Sequence, residues 1–303
     1  MTKRDTIVAA SRFPPPGAGS PIVVALESLG RDDLLLAGGK AANLGELLRA
    51  GLPVPPGFCL TTAAYARMAG GADLRPLLDD LAEIGSGEPE RLAAIAGAIR
   101  QRLLAAPMPD DVALSIREAV TALGLSLPLA VRSSATAEDL PFASFAGQQD
   151  TFLNIVGDAA LLEAVRRCWA SLWTERAVVY RARNGVDQRT VRLAVIVQRL
   201  VDAAVAGVLF TANPVTGRRD QVVIDASPGL GEAVVSGAVN PDHFVINASS
   251  GEILERRLGD KRVTIRPAPE GGVRRVDTAA AGPAACLSDE QLRDLAALGR
   301  RVE

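Results

Sequence analysis

Histidine is almost missing from this chain: His243 is the only one in 303 residues. Cysteine is nearly as scarce, with Cys59, Cys168 and Cys286 far apart and no CxxC pair among them. One histidine and three scattered thiols make a poor zinc set, and an odd number of cysteines does not pair off into a disulfide framework. Buried free thiols in a reducing compartment are therefore expected. Nor can a Ser-His-Asp or Cys-His nucleophile set be assembled; His243, between Asp242 and Phe244 in an alternating run, is expected to pack or bond locally. No apolar run reaches the roughly 18 to 20 residues of a membrane-spanning helix. The N-terminal MTKRDTIVAASRFPPPGAGS lacks the sustained apolar stretch of a secretory signal. A cytoplasmic location is expected, with residues 1–20 read as a disordered tail. Charge of one sign is lacking too: 33 Lys and Arg against 35 Asp and Glu leave a net charge of −2. That balance gives no electrostatic footprint for nucleic acid or an anionic membrane.

What is present is apolar surface, 48% of residues, enough in a chain of this length for two domains. PIVVAL (21–26) reads as a strand. Leu44, Leu47 and Leu48 recur at helical spacing and stop at Gly51, a usual C-cap residue. LPVPPGF must run extended, after which Thr61 or Thr62 can cap a short helix. Amphipathic segments broken by GSGEPE and PMPDD fill the stretch to Pro128 and read as a helical insert. A strand, PLAVR, a loop, and a second strand, DTFLNI, come next; Asp158 can cap the helix after them. From about residue 190 the texture turns β-rich, in short runs such as VRLAVIVQRLV, VAGVLFTA and QVVIDA. Ser288 and Gln291 form a capping-box pattern opening a final helix. The layout divides into a first lobe over 21–196 and a β-rich second lobe over 197–303.

Three stretches can carry chemistry. Gly38-Gly39-Lys40 precedes the helix beginning at Ala41, where close backbone approach, a helix N-terminus and a mobile cation suit an anion, or else form a turn with a solvated lysine. It is not a Walker A loop, because Ala41 follows the lysine where Ser or Thr should stand. Arg132 ends an apolar strand beside Ser133, Ser134 and Thr136. It is either paired with Glu138 or Asp139, or offers a planar fork to phosphate oxygens with the hydroxyls as further donors. The small residues after it suit a mobile lid that keeps water out. SPGLGEAVVSG fails as a dinucleotide fingerprint, since Val234 takes the third glycine position, and leaves a flexed loop presenting Glu232. Gln198, in an apolar strand at the lobe junction, needs polar partners that an adenine edge or neighbouring backbone can supply.

Taken in order, GGKAANLGELLRAGLPVPPGFCLTTAAY, AVRSSATAEDLPFASFAGQQDTFLNI, VQRLV, AGVLFTANPVTG, GLGEAVVSG and PDHF resemble the ATP-binding half of the phosphoenolpyruvate synthase family. Pyruvate, phosphate dikinase and rifampicin phosphotransferase share that half. The resemblance implies an α+β, ATP-grasp-like fold whose two lobes clamp ATP. By matching positions it implies that Lys40 and Arg132 contact the phosphates and that Thr136 belongs to the loop over them. It places Gln198 and the backbone near Leu200 at the adenine, and Glu232 near the ribose. It further implies Mg2+, with its ligands and a second arginine expected beyond Glu303. A swivelling domain with a phosphorylated histidine is expected as a separate or missing partner, since His243 lies in no such motif. A non-catalytic nucleotide-binding or regulatory module, or the ATP half of an antibiotic phosphotransferase, stands as the alternative, and whether the chain alone turns over is left open.

Overall fold

Two hydrophobic periods build two compact units, Met1–Leu200 and Val201–Glu303. The computed structural model describes residues 19–84, 87–122, 124, 128–136, 150–278 and 284–303. The tail of residues 1–18, and with it most of the stretch read as disordered, lies outside the described residues.

The first unit runs β1 (Val23–Ala25), α1 (Leu34–Arg49), β2 (Gly57–Leu60), α2 (Thr62–Gly71), α3 (Arg75–Glu83), α4 (Pro89–Ala105) and α5 (Asp110–Ala122). Then come β3 (Leu129–Ala135), β4 (Thr151–Ile155), α6 (Asp158–Ser171), α7 (Glu175–Arg183) and β5 (Leu193–Arg199). The strands pair antiparallel in the order β1-β2-β5-β3-β4. Because side chains alternate along a strand, each face collects a different set. Phe58, Leu60, Leu129, Val131, Val195 and Val197 face the helices and pack with Trp169, Trp173, Tyr65 and Met68 in the larger core. Each large apolar side chain fully buried there contributes about 1.5–3 kcal/mol. The alternate residues Cys59, Ala194 and Ile196 pack on Ala37 and Ala41 of α1.

Local chemistry sets the helix ends. Thr61 caps α2 by accepting from the Ala63 amide, and Thr174 caps α7 by accepting from Ala177. After α1, Gly51 takes φ 70° while Leu52 N–H donates to Leu47 O and Gly51 N–H to Leu48 O, the paired bonds of a Schellman end. Asp158 is not the cap of α6 but its first residue, behind Gly157 at φ 93°. Its carboxylate instead takes a two-nitrogen contact from Arg117.

The second unit comprises β6 (Val205–Phe210), β7 (Gln221–Pro228), α8 (Glu232–Val235), β8 (Asp242–Asn247), β9 (Ile253–Arg257), β10 (Val263–Pro267), β11 (Val273–Asp277) and α9 (Asp289–Val302). Strands β6 to β9 form an antiparallel sheet in chain order, and β10 pairs with β11 alone. The Ser288–Gln291 capping box forms as its pattern predicts, and α9 lays Leu292 and Ala296 against Ile224, Phe244 and Ile246. Asp242, fully buried, accepts from Lys261 Nζ and from the amides of Gly259 and Cys286. Burial alone would raise this carboxyl, but those bonds outweigh it and hold it below the ordinary carboxylate range. The chain is mixed α+β, and among the described residues no helix is long and apolar enough to cross a membrane.

Candidate functional site

A glycine decides where the first candidate group sits. Gly38 lies at φ 74°, ψ 165°, so α1 breaks there and starts again at Gly39-Lys40-Ala41. The sequence reading began the helix at Ala41; the structure adds a turn upstream, Leu34 to Ala37, before the break. A side chain at position 38 would stand 2.4 Å from the Ser134 carbonyl oxygen, so only glycine lets α1 lie this close to β3. Ser134 Oγ accepts from the Ala41 amide at 3.2 Å, supplying from 93 residues away the cap that the restarted helix needs.

The same alternation that buries Ser134 against α1 fixes what lies beside it. Ala130, Arg132 and Ser134 of β3 stand opposite Gln198, Ile196 and Ala194 of β5, on the face that carries α1. Arg132 and Gln198 therefore share one side of the sheet with the restarted helix and Lys40. Lys40 and Arg132 are both half-buried. The Arg132 guanidinium makes no hydrogen bond or ion pair with any described residue. Its alternative partners Glu138 and Asp139, and the small-residue loop read as a lid, lie outside the described residues.

Three hydroxyls near Arg132 are already engaged. Ser133 points to the other face and donates to Asp150 O at 3.4 Å. Thr136, next on the Arg132 side, donates to Arg192 O at 3.3 Å. Gln198 is 5% exposed and donates from Nε2 to Pro55 O at 3.0 Å, so neighbouring backbone supplies the partner its burial demands. The Leu200 amide donates to Pro128 O at 3.0 Å. Glu232, in the second unit, is exposed at the first position of α8.

His243 Nδ1 lies 2.7 Å from Asp225 Oδ1, its cross-strand neighbour between β7 and β8. It bonds locally, as its alternating surroundings predict. Cys59 and Cys168 are buried free thiols whose pKa burial pushes well up, while Cys286 is half-buried and pushed up to about 12. Among the described residues no group of three or more His, Cys, Asp and Glu side chains could hold a metal ion.

A mixed α+β chain thus presents, on one sheet face, a helix start opened by glycine, Lys40 at that start, and Arg132, whose guanidinium makes no hydrogen bond or ion pair with a described residue. Residues 34–303 match the family described as pyruvate phosphate dikinase, AMP/ATP-binding domain. The chain belongs to this family and is its ATP-binding domain. It is 48% identical over 287 residues to a rifampicin phosphotransferase of a Streptomyces species, covering 93% of this chain and 33% of that protein. A probable phosphoenolpyruvate synthase of Methanothermobacter thermautotrophicus is 43% identical over 287 residues, 93% of this chain and 42% of its own length. A rifampicin phosphotransferase of Bacillus subtilis is 43% identical over 288 residues, 94% of this chain and 33% of its own length. The chain therefore spans about a third to two fifths of the length of these relatives.

Proposed function

We propose that this chain is an ATP-grasp-like module that binds ATP with Mg2+ for phosphoryl transfer to a group carried by another domain. The observation that carries the reading is Arg132: a half-buried guanidinium with no described partner, on the face where α1 restarts at Lys40. A charge so placed costs stability unless an anion meets it, and the planar fork of arginine matches phosphate oxygens. Lys40 supplies a second cation, and Thr136 stands beside the phosphates. Gln198 and the backbone at Leu200 meet the adenine. The Leu200 amide is already donated to Pro128, so the carbonyl side serves there. Magnesium, when bound with the nucleotide, would neutralise charge on its phosphates. Relatives named for different acceptors match the same region at 48% and 43% identity, which supports a shared nucleotide half with the acceptor, and a phosphorylated histidine, chosen elsewhere. Calorimetry with ATP and with GTP, on wild type and Lys40→Ala, tests the reading: ATP is preferred and the variant binds more weakly. Equal binding heats from the two proteins would remove Lys40 from the phosphate site.

A further inference from the structure

The first unit has a concavity of about 590 Å³ among the helices of its larger core. That volume is within the range of small-molecule sites, about 300 to 1,000 Å³. Tyr65 and Trp173 lie beneath it, only 2% and 1% exposed, with Trp173 Nε1 donating to Tyr65 Oη at 2.9 Å, and Ala66 and Ala69 add apolar lining. Leu74 and Leu78 add apolar wall, and Arg75, Arg189 and Arg192 stand round it with Asp73 and Asp79.

The charges do not cancel. Arg189 is paired with Asp187, and Asp73 stands 4.0 Å from Arg102. Arg75 makes no ion pair with a described residue, Arg192 commits only Nη1, to the carbonyls of Arg189 and Val191, and Asp79 sits in the field of Arg189, so these two arginines outnumber the carboxylate left to face them. Under the floor lies Arg181, 1% exposed, its guanidinium 5.3 Å over the Trp173 ring. It donates only to neutral groups, Gln188 Oε1 at 2.7 Å and Leu172 O at 2.8 Å. Burial lowers its pKa to about 10, which leaves it cationic at neutral pH. A buried cation facing no carboxylate favours an anion in the adjoining space.

We propose that this concavity is a second ligand site, distinct from the nucleotide face, for a small anion with an apolar body, which lies over Ala66, Ala69 and Leu78 and whose charge meets Arg75 and Arg192. Its lining residues come from α2, α3, Trp173 and the approach to β5, and include none of Lys40, Arg132 or Gln198.

The test titrates the whole chain with 1-anilinonaphthalene-8-sulfonate and with N-phenyl-1-naphthylamine, which keeps the rings and lacks the sulfonate. Tryptophan-to-probe energy transfer reads proximity to Trp173. The sulfonate should bind one per chain and about tenfold more tightly than the neutral probe, the worth of one charge-assisted contact. Gly70 lines the concavity, and a Cβ there meets no atom within 4 Å. Gly70→Phe should therefore fill the space and abolish sulfonate binding with the unfolding midpoint kept. Arg75→Glu, at an exposed position, should weaken it about tenfold. Saturating ATP should leave sulfonate binding intact. Equal affinity for the two probes, undiminished binding in Gly70→Phe and Arg75→Glu, or stoichiometric displacement by ATP would each overturn the proposal. Failure of ATP itself to bind would strike the nucleotide reading alone.

Discussion

Replacing Gly38 by alanine probes the contact that brings α1 to β3. Two costs add. The backbone at φ 74°, ψ 165° belongs to a region nearly closed to residues with a side chain, a strain of about 1 to 3 kcal/mol. The new methyl would also meet Ser134 at 2.4 Å from O and 2.6 Å from Oγ, and relieving such overpacking costs about 1 to 3 kcal/mol. The sum is about 2 to 6 kcal/mol, a large part of the 5 to 15 kcal/mol that holds a typical domain folded. Gly51→Ala is the matched control: φ is 70°, yet a Cβ there meets nothing within 4 Å. It should lose only the conformational part, about 1 to 2 kcal/mol. Both tryptophans, Trp169 and Trp173, are buried in the first unit, so urea unfolding followed by tryptophan fluorescence reports on that unit. Midpoints should fall with slopes unchanged. If Gly38→Ala lost no more than Gly51→Ala, the claim that close approach to Ser134 requires glycine would be refuted.

Ser134→Ala removes the cap on Ala41 and should cost about 1 kcal/mol in the same urea experiment; no loss would show that the restarted helix needs no cap. Arg132→Lys should weaken ATP binding by about 1 to 3 kcal/mol, read by calorimetry, because a point charge replaces a fork. Unchanged affinity would take Arg132 off the phosphates. Asp242→Asn leaves Lys261 buried without its counter-charge and should cost about 3 to 5 kcal/mol, seen as faster amide exchange across β8. In the wild type, the Asp242 value is below that of the unfolded chain. Its contribution is therefore present above about pH 4 and lost as pH falls through the folded value, so β8 exchange should be insensitive to this group at neutral pH. With its thiol pKa pushed up to about 12, half-buried Cys286 should react slowly with disulfide reagents at pH 7, as should Cys59 and Cys168, all three becoming reactive on unfolding.

Local signals carried much of this fold. Thr61, Gly51 and the Ser288–Gln291 box act where the sequence puts them, because a cap is a bond between near neighbours. Asp158 missed by one position for the same reason: helix ends are soft, and Gly157 could take the φ of 93° that starts the helix earlier. The hairpin of β10 and β11 went unread, since prolines in TIRPAPEGGVRRV hide a short alternation around its Gly271-Gly272 turn. At the site, residue types were legible and their engagements were not. Period two puts Arg132 and Ser134 on one face and Ser133 on the other, but nothing near Ser134 announces that its hydroxyl caps a helix 93 residues earlier. Gln198 showed its need for a partner, and the fold chose Pro55 O.

The order β1-β2-β5-β3-β4 has a consequence for biosynthesis. The strand between β2 and β3 is the last of the five to leave the ribosome. Until Arg199 has emerged, β1-β2 and β3-β4 can exist only as separate antiparallel pairs, each with an apolar edge awaiting the same missing neighbour. Closing the gap is a late, long-range event rather than the zipping of adjacent hairpins, and such events are slow. Nascent chains arrested before Leu193 should be protease-sensitive and prone to pair with one another through those edges, whereas chains extended far enough for Arg199 to clear the exit tunnel should acquire protection in a single step.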